Sequence, residues 1–182
     1  MDRGLVERAR DGDRESYELL ANAVARTLFG VAHKILRDAD AAQDALQQTL
    51  VAIWRDLPRL RDPDRFEAWT YRLVVRASLE EARKARRHAH VRELPSNEPS
   101  APDTSAAFAT RDQLERAFEQ LSPEHRAVVV LHHYLGLSLG EVAAALGVPY
   151  GTAGSRLHYA HRALRQTLTT SEFPTLAGGR PA

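Results

Sequence analysis

The chain contains no cysteine. Disulfides, thiolate zinc sites and thiol redox sensing within it are thereby excluded. Net charge is scarce as well, at +1 over 182 residues, so bulk charge gives no argument for a polyanionic partner. No continuous apolar run approaches the roughly 20 residues that cross a bilayer. Met1-Asp2-Arg3-Gly4 leads into a charged amphipathic pattern rather than a signal-peptide core, which sets a cytoplasmic expectation. H-E-x-x-H, a phosphate-cradling glycine loop, a G-x-S-x-G elbow and a paired-carboxylate site are all missing. No catalytic residue, metal site or cofactor is expected, and the chain does not read as an enzyme. Strand-like alternation is missing too, which leaves an all-α reading.

What is present is ordinary in amount, with 43% apolar and 27% charged residues, and uneven in placement. Arg83, Lys84, Arg86, Arg87 and Arg92 form a basic run, with His88 and His90 between them. Arg156, Arg162 and Arg165 form a second group with His158 and His161. Two local patches on a near-neutral chain suit contacts with a polyanion, or two solvated helix faces. Residues 93–110 are rich in Pro, Ser and Asn and hold almost no large apolar side chain. Such a stretch reads as a flexible linker, because it buries too little to offset chain entropy. The chain therefore divides into a domain at 1–92, the linker, a domain at 111–169 and a disordered tail at 170–182. Each domain is small enough to have a thin core.

Helical periodicity fills both domains. Asp13 is placed to cap a helix in which Tyr17, Leu20, Val24, Leu28, Val31 and Ile35 recur at three- and four-residue steps. Asp40 is the expected cap of the next, with Ala42, Leu46, Leu50, Ile53 and Trp54 inward. Asp62-Pro63 opens a third, striped by Phe66, Trp69, Leu73, Val74 and Ala77. In the second domain Ser122 caps, Gly136 suits a left-handed stop, and Ser138 with Glu141 forms a capping box. Gly147 turns the chain into a last helix near Gly151, striped by Ala153, Leu157, Ala160, Leu164 and Leu168. This order fits a helix-turn-helix, which lays its second helix in the major groove of DNA. Thr152, Ser155, Arg156 and Tyr159 then lie off the buried stripe. A guanidinium reads guanine edges bidentately, while hydroxyls and early-helix amides hold phosphates. Trp54 reads as core; Trp69 reads as core or ligand. His132, His133, His158 and His161 lack metal-site partners and read as exposed or phosphate-near.

Residues 121–168 resemble the fourth conserved region of bacterial sigma factors of the extracytoplasmic-function group. That pattern runs L-P-x-x-x-R-x-V, then G-L-S-x-x-E, then G-T-V-K-S-R-L-x-R-A. It is matched here at Leu121, Arg126, Val128, Leu131, Gly136-Leu137-Ser138, Glu141-Val142-Ala143, Leu146-Gly147, Gly151-Thr152, Ser155-Arg156-Leu157 and Ala160. Asp44-Ala45-Leu46-Gln47-Gln48-Thr49, Trp54, Leu57-Pro58-Arg59-Leu60, Phe66, Trp69 and Tyr71-Arg72-Leu73 resemble the second conserved region. The resemblance implies two small helical domains, a region 2-like bundle and a region 4-like helix-turn-helix. It also implies a sigma factor that binds core RNA polymerase and directs initiation at promoters through minus-10 and minus-35 elements.

By that resemblance, Asp44, Gln47 and Gln48 face polymerase, whose beta-prime clamp coiled coil and beta flap become expected partners. Arg59, Arg61, Trp69, Arg72, Arg76 and Arg83 fall on the minus-10 side. Thr152, Ser155, Arg156 and Tyr159 fall on the minus-35 side. An anti-sigma factor is a further expected partner. Departures are visible: Arg76 and Glu80 replace Asn and Asp, Gln48 replaces an acid, Pro149 a capping serine, and Ala153 and Gly154 a valine and a lysine. From the residues alone, a stand-alone dimeric helix-turn-helix regulator remains the alternative.

Overall fold

A computed structural model of the chain describes the backbone of residues 1–91 and 106–172 and the side chains of 1–88 and 113–166. The described residues hold helices and no strand. They are α1 (Arg3–Arg10), α2 (Arg14–Leu36), α3 (Ala39–Asp56), α4 (Phe66–Val91), α5 (Ala106–Glu119), α6 (Pro123–Val129), α7 (Leu139–Leu146) and α8 (Tyr150–Glu172). Two 3-10 turns, Leu57–Arg59 and Pro63–Arg65, join α3 to α4. A π-helical turn, Val130–Tyr134, extends α6. The bulk of the predicted linker and tail lies outside the described residues. α5 begins at Ala106, inside the expected linker, and alanine, which opens it, has high helix propensity.

Local chemistry starts and stops these helices. Asp13 accepts from the Glu15 amide at 3.2 Å and starts α2. Asp38, not Asp40, caps α3, accepting from the Ala41 amide at 2.8 Å; Asp40 sits in the first turn, where a carboxylate favours the helix dipole. Ser122 caps α6. At α7 the capping box is complete: Glu141 accepts from the Ser138 amide at 2.8 Å, and Ser138 Oγ from the Glu141 amide at 3.3 Å. Gly147 ends α7 at φ +65°, a left-handed conformation suited to glycine.

α2 is long and apolar enough by composition to cross a membrane. It is instead a central helix, with Leu20, Leu28, Val31 and Ile35 fully buried against α1, α3 and α4. Ile53, Leu57, Phe66, Val74 and Val75 complete the first core. Buried hydroxyls are satisfied locally: Thr49 donates to the Ala45 carbonyl and Ser78 to the Val74 carbonyl, both at 2.7 Å. In the second domain Ala127, Val128, Leu131, Val142, Ala153 and Ala160 are buried. The alanines at 127, 153 and 160 leave room for α6, α7 and α8 to approach closely.

The two cores are continuous. α4 packs on α6 and α7, and α2 packs on α6 and the π-helical turn. A side chain at Gly30 would meet the Tyr134 hydroxyl at 3.1 Å, so the glycine leaves room for that ring. Lys34 Nζ lies 4.8 Å from the centre of the same ring, a cation–π contact. Arg37, held at φ +61° just after α2, donates to Glu115 at 2.6 Å and to Glu119 at 2.9 Å on α5. Arg86 on α4 reaches Glu124 on α6 at 3.4 Å. Arg126 carries a cost in this packed arrangement. Burial, with Arg37 and Arg86 nearby, lowers its pKa, and its buried Nε has no hydrogen-bond partner.

Candidate nucleic-acid interface

On α4, Trp69, Arg72, Arg76 and Arg83 line one groove of about 340 Å3. Its floor is Leu73, Val75 and Leu79, and its far wall is Ala145, Leu146 and Gly147 at the end of α7. Trp69 is half-buried and tilted against Phe66 at 6.1 Å between rings, so the indole is both packed and accessible. Arg72 and Arg83 are exposed; Arg76 is exposed and paired with Glu80 at 3.1 Å. Arg59 and Arg61 lie in the loop before α4, both exposed, with Arg59 3.9 Å from Asp56. The groove thus combines a ring that can stack on a base with cations that can follow a phosphate backbone. Farther along α4, Lys84 pairs with Glu81 on the same helix and Arg86 with Glu124 on α6.

On α3, Asp44, Gln47 and Gln48 are exposed along one stripe that continues into Val51, 64% exposed, and Trp54, 49% exposed. Gln48 donates to Glu81 of α4. Trp54 is therefore not core. Ala45, Leu46, Thr49 and Ile53 fill the buried stripe, and Trp54 stands on the neighbouring stripe, edge-on to Tyr17 with ring centres 4.6 Å apart. Tyr17 is fixed by donating to the Leu50 carbonyl at 2.8 Å. An exposed stripe mixing amides, a carboxylate, a valine and an indole is the composition of a protein-docking surface.

At the start of α8, Ser155 is exposed, and Thr152 and Arg156 are half-buried. Tyr159 is 58% exposed and lies nearly parallel to the His125 ring of α6, with centres 4.6 Å apart and planes at 22°. Ser155 Oγ donates back to the Thr152 carbonyl at 3.0 Å. Periodicity does not mark Tyr150, 65% exposed at the first position of α8, as a candidate, nor does it mark His125. His125 sits three residues after a cap and 34 positions from its stacking partner, so no local spacing rule joins them. Farther along α8, His161 Nε2 lies 2.7 Å from His133 Nε2 of the π-helical turn. Burial, then His133 and Arg165, push His161 below the ordinary histidine pKa. Among the described residues no group of three or more His, Asp or Glu is placed to hold a metal.

Two helical domains, one with an aromatic-and-arginine groove and one with a helix-turn-helix, define a transcription initiation factor of the sigma-70 class. Residues 20–88 match the Sigma-70 region 2 model and residues 111–165 the Sigma-70, region 4 model. The chain is 37% identical over 148 residues to ECF RNA polymerase sigma factor SigL of Mycobacterium tuberculosis, covering 79% of this chain and 84% of that one. It is 34% identical over 174 residues to RNA polymerase sigma factor CarQ of Myxococcus xanthus, covering 92% and 98%. Among solved structures, CnrH in complex with the cytosolic domain of CnrY aligns with a TM-score of 0.65 at 26% identity, over 93% of this chain and 97% of that one. The chain belongs to the ECF RNA polymerase sigma factors. It binds core RNA polymerase and directs promoter-specific initiation. The alternative of a stand-alone dimeric regulator finds no support.

Proposed function

We propose that this sigma factor holds polymerase through the α3 stripe, reads the minus-10 element in the α4 groove and reads the minus-35 element with the start of α8. The observation that carries this reading is the α4 groove, where Trp69 stands among Arg72, Arg76 and Arg83 over an apolar floor. Melting a duplex requires that unstacked bases gain more from new partners than they lose, and base–aromatic stacking is worth about 1–3 kcal/mol per base. Trp69 supplies the stacking surface, and the arginines hold the displaced strand. On α8, Arg156 reads a base edge and Thr152 and Ser155 hold phosphates. The chemistry of RNA synthesis belongs to polymerase; the chain is a non-catalytic specificity factor acting in the cytoplasm with it. By the likeness to CnrH bound to CnrY, an anti-sigma partner is part of the same proposal.

The packed arrangement has to open for this work. The two elements lie about 25 base pairs apart, which is about 85 Å at ~3.4 Å per pair. A compact chain of this size has a radius of gyration of only about 16 Å. Residues 92–105 between α4 and α5, fully extended, add about 50 Å of reach. Separation of the domains is therefore a condition for contacting both elements at once.

The test is reconstitution with core polymerase and run-off transcription from promoters mapped by overexpression. Trp69→Ala is expected to abolish open-complex formation while leaving polymerase binding intact, and Arg156→Ala to weaken promoters in proportion to their minus-35 match. Promoter-specific footprints by a dimer without polymerase would overturn the reading.

A further inference from the structure

The stack between His125 and Tyr159 joins the first turn of α6 to the middle of the face that α8 offers to DNA. His125 is fixed on its other side. Its Nδ1 lies 2.9 Å from Ser122 Oγ, and its own amide donates to the same oxygen at 3.3 Å. The ring is half-buried, and Tyr159 rests on it with more than half its surface open. Tyr159 stands where the motif G-T-V-K-S-R-L-x-R-A carries an arginine. A fixed positive charge is thus absent at this point, and an aromatic ring backed by an imidazole takes its place.

We propose that His125 is a positioning residue of the minus-35 head that also supplies a conditional positive charge there: it clamps Tyr159 by stacking and takes up one proton from solvent when DNA phosphate binds. The proposal rests on the reading of α8 as the minus-35 helix. The groups facing His125 set its behaviour. On α8, Arg156 opposes a charge on the imidazole, while the face of the Tyr159 ring favours one. On α6, Glu124 favours it, and Glu124 is itself shared with Arg86 of α4. Burial first, then Arg156, holds the imidazole below the ordinary histidine pKa, so the free protein carries it neutral at neutral pH. A phosphate drawn to Arg156 cancels that repulsion and adds an attraction of its own. The hydrogen bonds accommodate the change. In the neutral ring with its proton on Nε2, Ser122 Oγ–H donates to Nδ1. When Nδ1 gains a proton it donates to Ser122 Oγ, and the hydroxyl turns to Glu124, with which it also interacts.

The sign follows from linkage. DNA-bound protein holds more protons than free protein between the depressed free pKa and the raised bound pKa, so affinity rises as pH falls through that window and is level on either side. One group with a pKa difference of about one half to one unit gives roughly three- to tenfold across the whole window, of which about two- to fivefold falls between pH 8 and pH 6 because the free pKa lies below the ordinary histidine value. The salt dependence changes with it: one further phosphate neutralised steepens the log K against log salt slope by about 0.9.

The test uses the full chain reconstituted with core polymerase and a promoter duplex that this holoenzyme enriches, at about pH 6.5, from a pool randomised over 12 bp around the minus-35 element. Failure to enrich any duplex that depends on Arg156 would strike the α8 reading itself. With a duplex in hand, wild type is expected to bind about two- to fivefold tighter at pH 6 than at pH 8. His125→Gln, which keeps a planar hydrogen-bonding side chain and cannot charge, is expected to bind equally at both. Tyr159→Phe keeps the stack and the pH profile; Tyr159→Ala loses affinity at both pH values. An NMR titration of the wild-type His125 ring, free and DNA-bound, covers the case in which His125→Gln folds poorly. A bound pKa no higher than the free one, or a His125→Gln profile parallel to wild type, overturns the proposal.

Discussion

Arg37 is the position at which the packed state of the two domains is most directly open to perturbation. Its side chain is 24% exposed and bridges to Glu115 and Glu119, each about half exposed. Burial alone acts against the charge, yet the two carboxylates more than offset it and leave the guanidinium pKa raised. Pairs of this exposure contribute about 0.5–1 kcal/mol each. Arg37→Gln therefore shifts the closed-to-open balance by about 1–2 kcal/mol, roughly 5- to 30-fold. Arg37→Glu adds repulsion from two carboxylates and shifts it further. Arg37→Gly is the wrong probe, because it also relieves a left-handed backbone at φ +61°, worth about 1–2 kcal/mol. The balance is delicate because Arg126, half-buried beside Arg37 and Arg86 with its Nε unpartnered, pushes toward opening.

The absence of cysteine makes the assay clean. Glu18→Cys on α2 and Ala144→Cys on α7 place dyes on exposed positions of the two domains and nowhere else. Single-molecule energy transfer is expected to show a dominant high-transfer state for wild type, depleted in Arg37→Gln and more so in Arg37→Glu. Raising salt, which screens these pairs, moves wild type toward Arg37→Gln, changes Arg37→Gln little and relieves part of the repulsion in Arg37→Glu. Glu115→Arg with Glu119→Arg restores the high-transfer state in the Arg37→Glu background. Because the end of α7 walls the groove of Trp69 and Arg76, single-stranded minus-10 oligonucleotide binding rises with opening. Transfer distributions identical across wild type, Arg37→Gln and Arg37→Glu would refute the reasoning.

Three further outcomes are expected. Ser138→Ala lowers stability by about 1 kcal/mol in urea unfolding. The hydrogen bonds from Ser138 hold the Glu141 carboxyl below the ordinary glutamate pKa. Its contribution is therefore complete above that ordinary value and fades as pH falls through the depressed one, and Glu141→Gln flattens this acid limb of the urea midpoint. Phe66→Ala empties a site that is 1% exposed at the start of α4 and costs about 3–5 kcal/mol, read by circular dichroism. Gly154→Lys places its Cβ 3.5 Å from Leu139 Cδ2, an ordinary contact. It gains about 0.5–1 kcal/mol of helix propensity and steepens the salt dependence of minus-35 binding by about 0.9; an unchanged slope would place position 154 away from phosphate.

Helix punctuation is legible in the sequence because it is local. Asp13, Asp62-Pro63, Ser122, Ser138 with Glu141, Gly136 and Gly147 act within a turn or two of themselves, and each does in the fold what its chemistry dictates. Asp38 and Asp40 are both competent caps two residues apart, and composition does not choose between them. Trp54 falls on the wrong stripe by periodicity alone, which fixes the spacing of a face but not which of two adjacent faces is buried. Leu46 and Ile53 go in, while Val51 and Trp54 stay out. Contacts between distant residues leave no trace in the sequence: Arg37 with Glu115, Arg86 with Glu124 and His125 with Tyr159 follow from how the helices pack. The π-helical turn at Val130–Tyr134, with its i to i+5 bond from the Leu135 amide to the Val130 carbonyl, is equally unreadable, since no residue type there signals it and the Tyr134 ring beside Gly30 is a tertiary contact.

Under the proposed assignment of α8 to the minus-35 element, the cations missing from it bear on how the whole chain works. Gly154 and Tyr159 occupy positions where the family motif has lysine and arginine. Every phosphate left without a cation reduces the salt-dependent, sequence-independent part of binding. A head thinned in this way binds weakly alone. Held on polymerase beside a promoter, it meets its element as an intramolecular event, at an effective concentration of order millimolar for a short tether. Weak intrinsic affinity is then sufficient in the complex and insufficient outside it. The packed free state acts in the same direction, since a ligand that must first open the domains sees its affinity reduced by the fraction of open molecules. Fixed charge removed from the head and closure of the two domains both suppress binding by the lone chain, and polymerase relieves both at once. On the proposed assignment, initiation thereby depends on the conjunction of polymerase, the α4 groove and the α8 head rather than on any one of them.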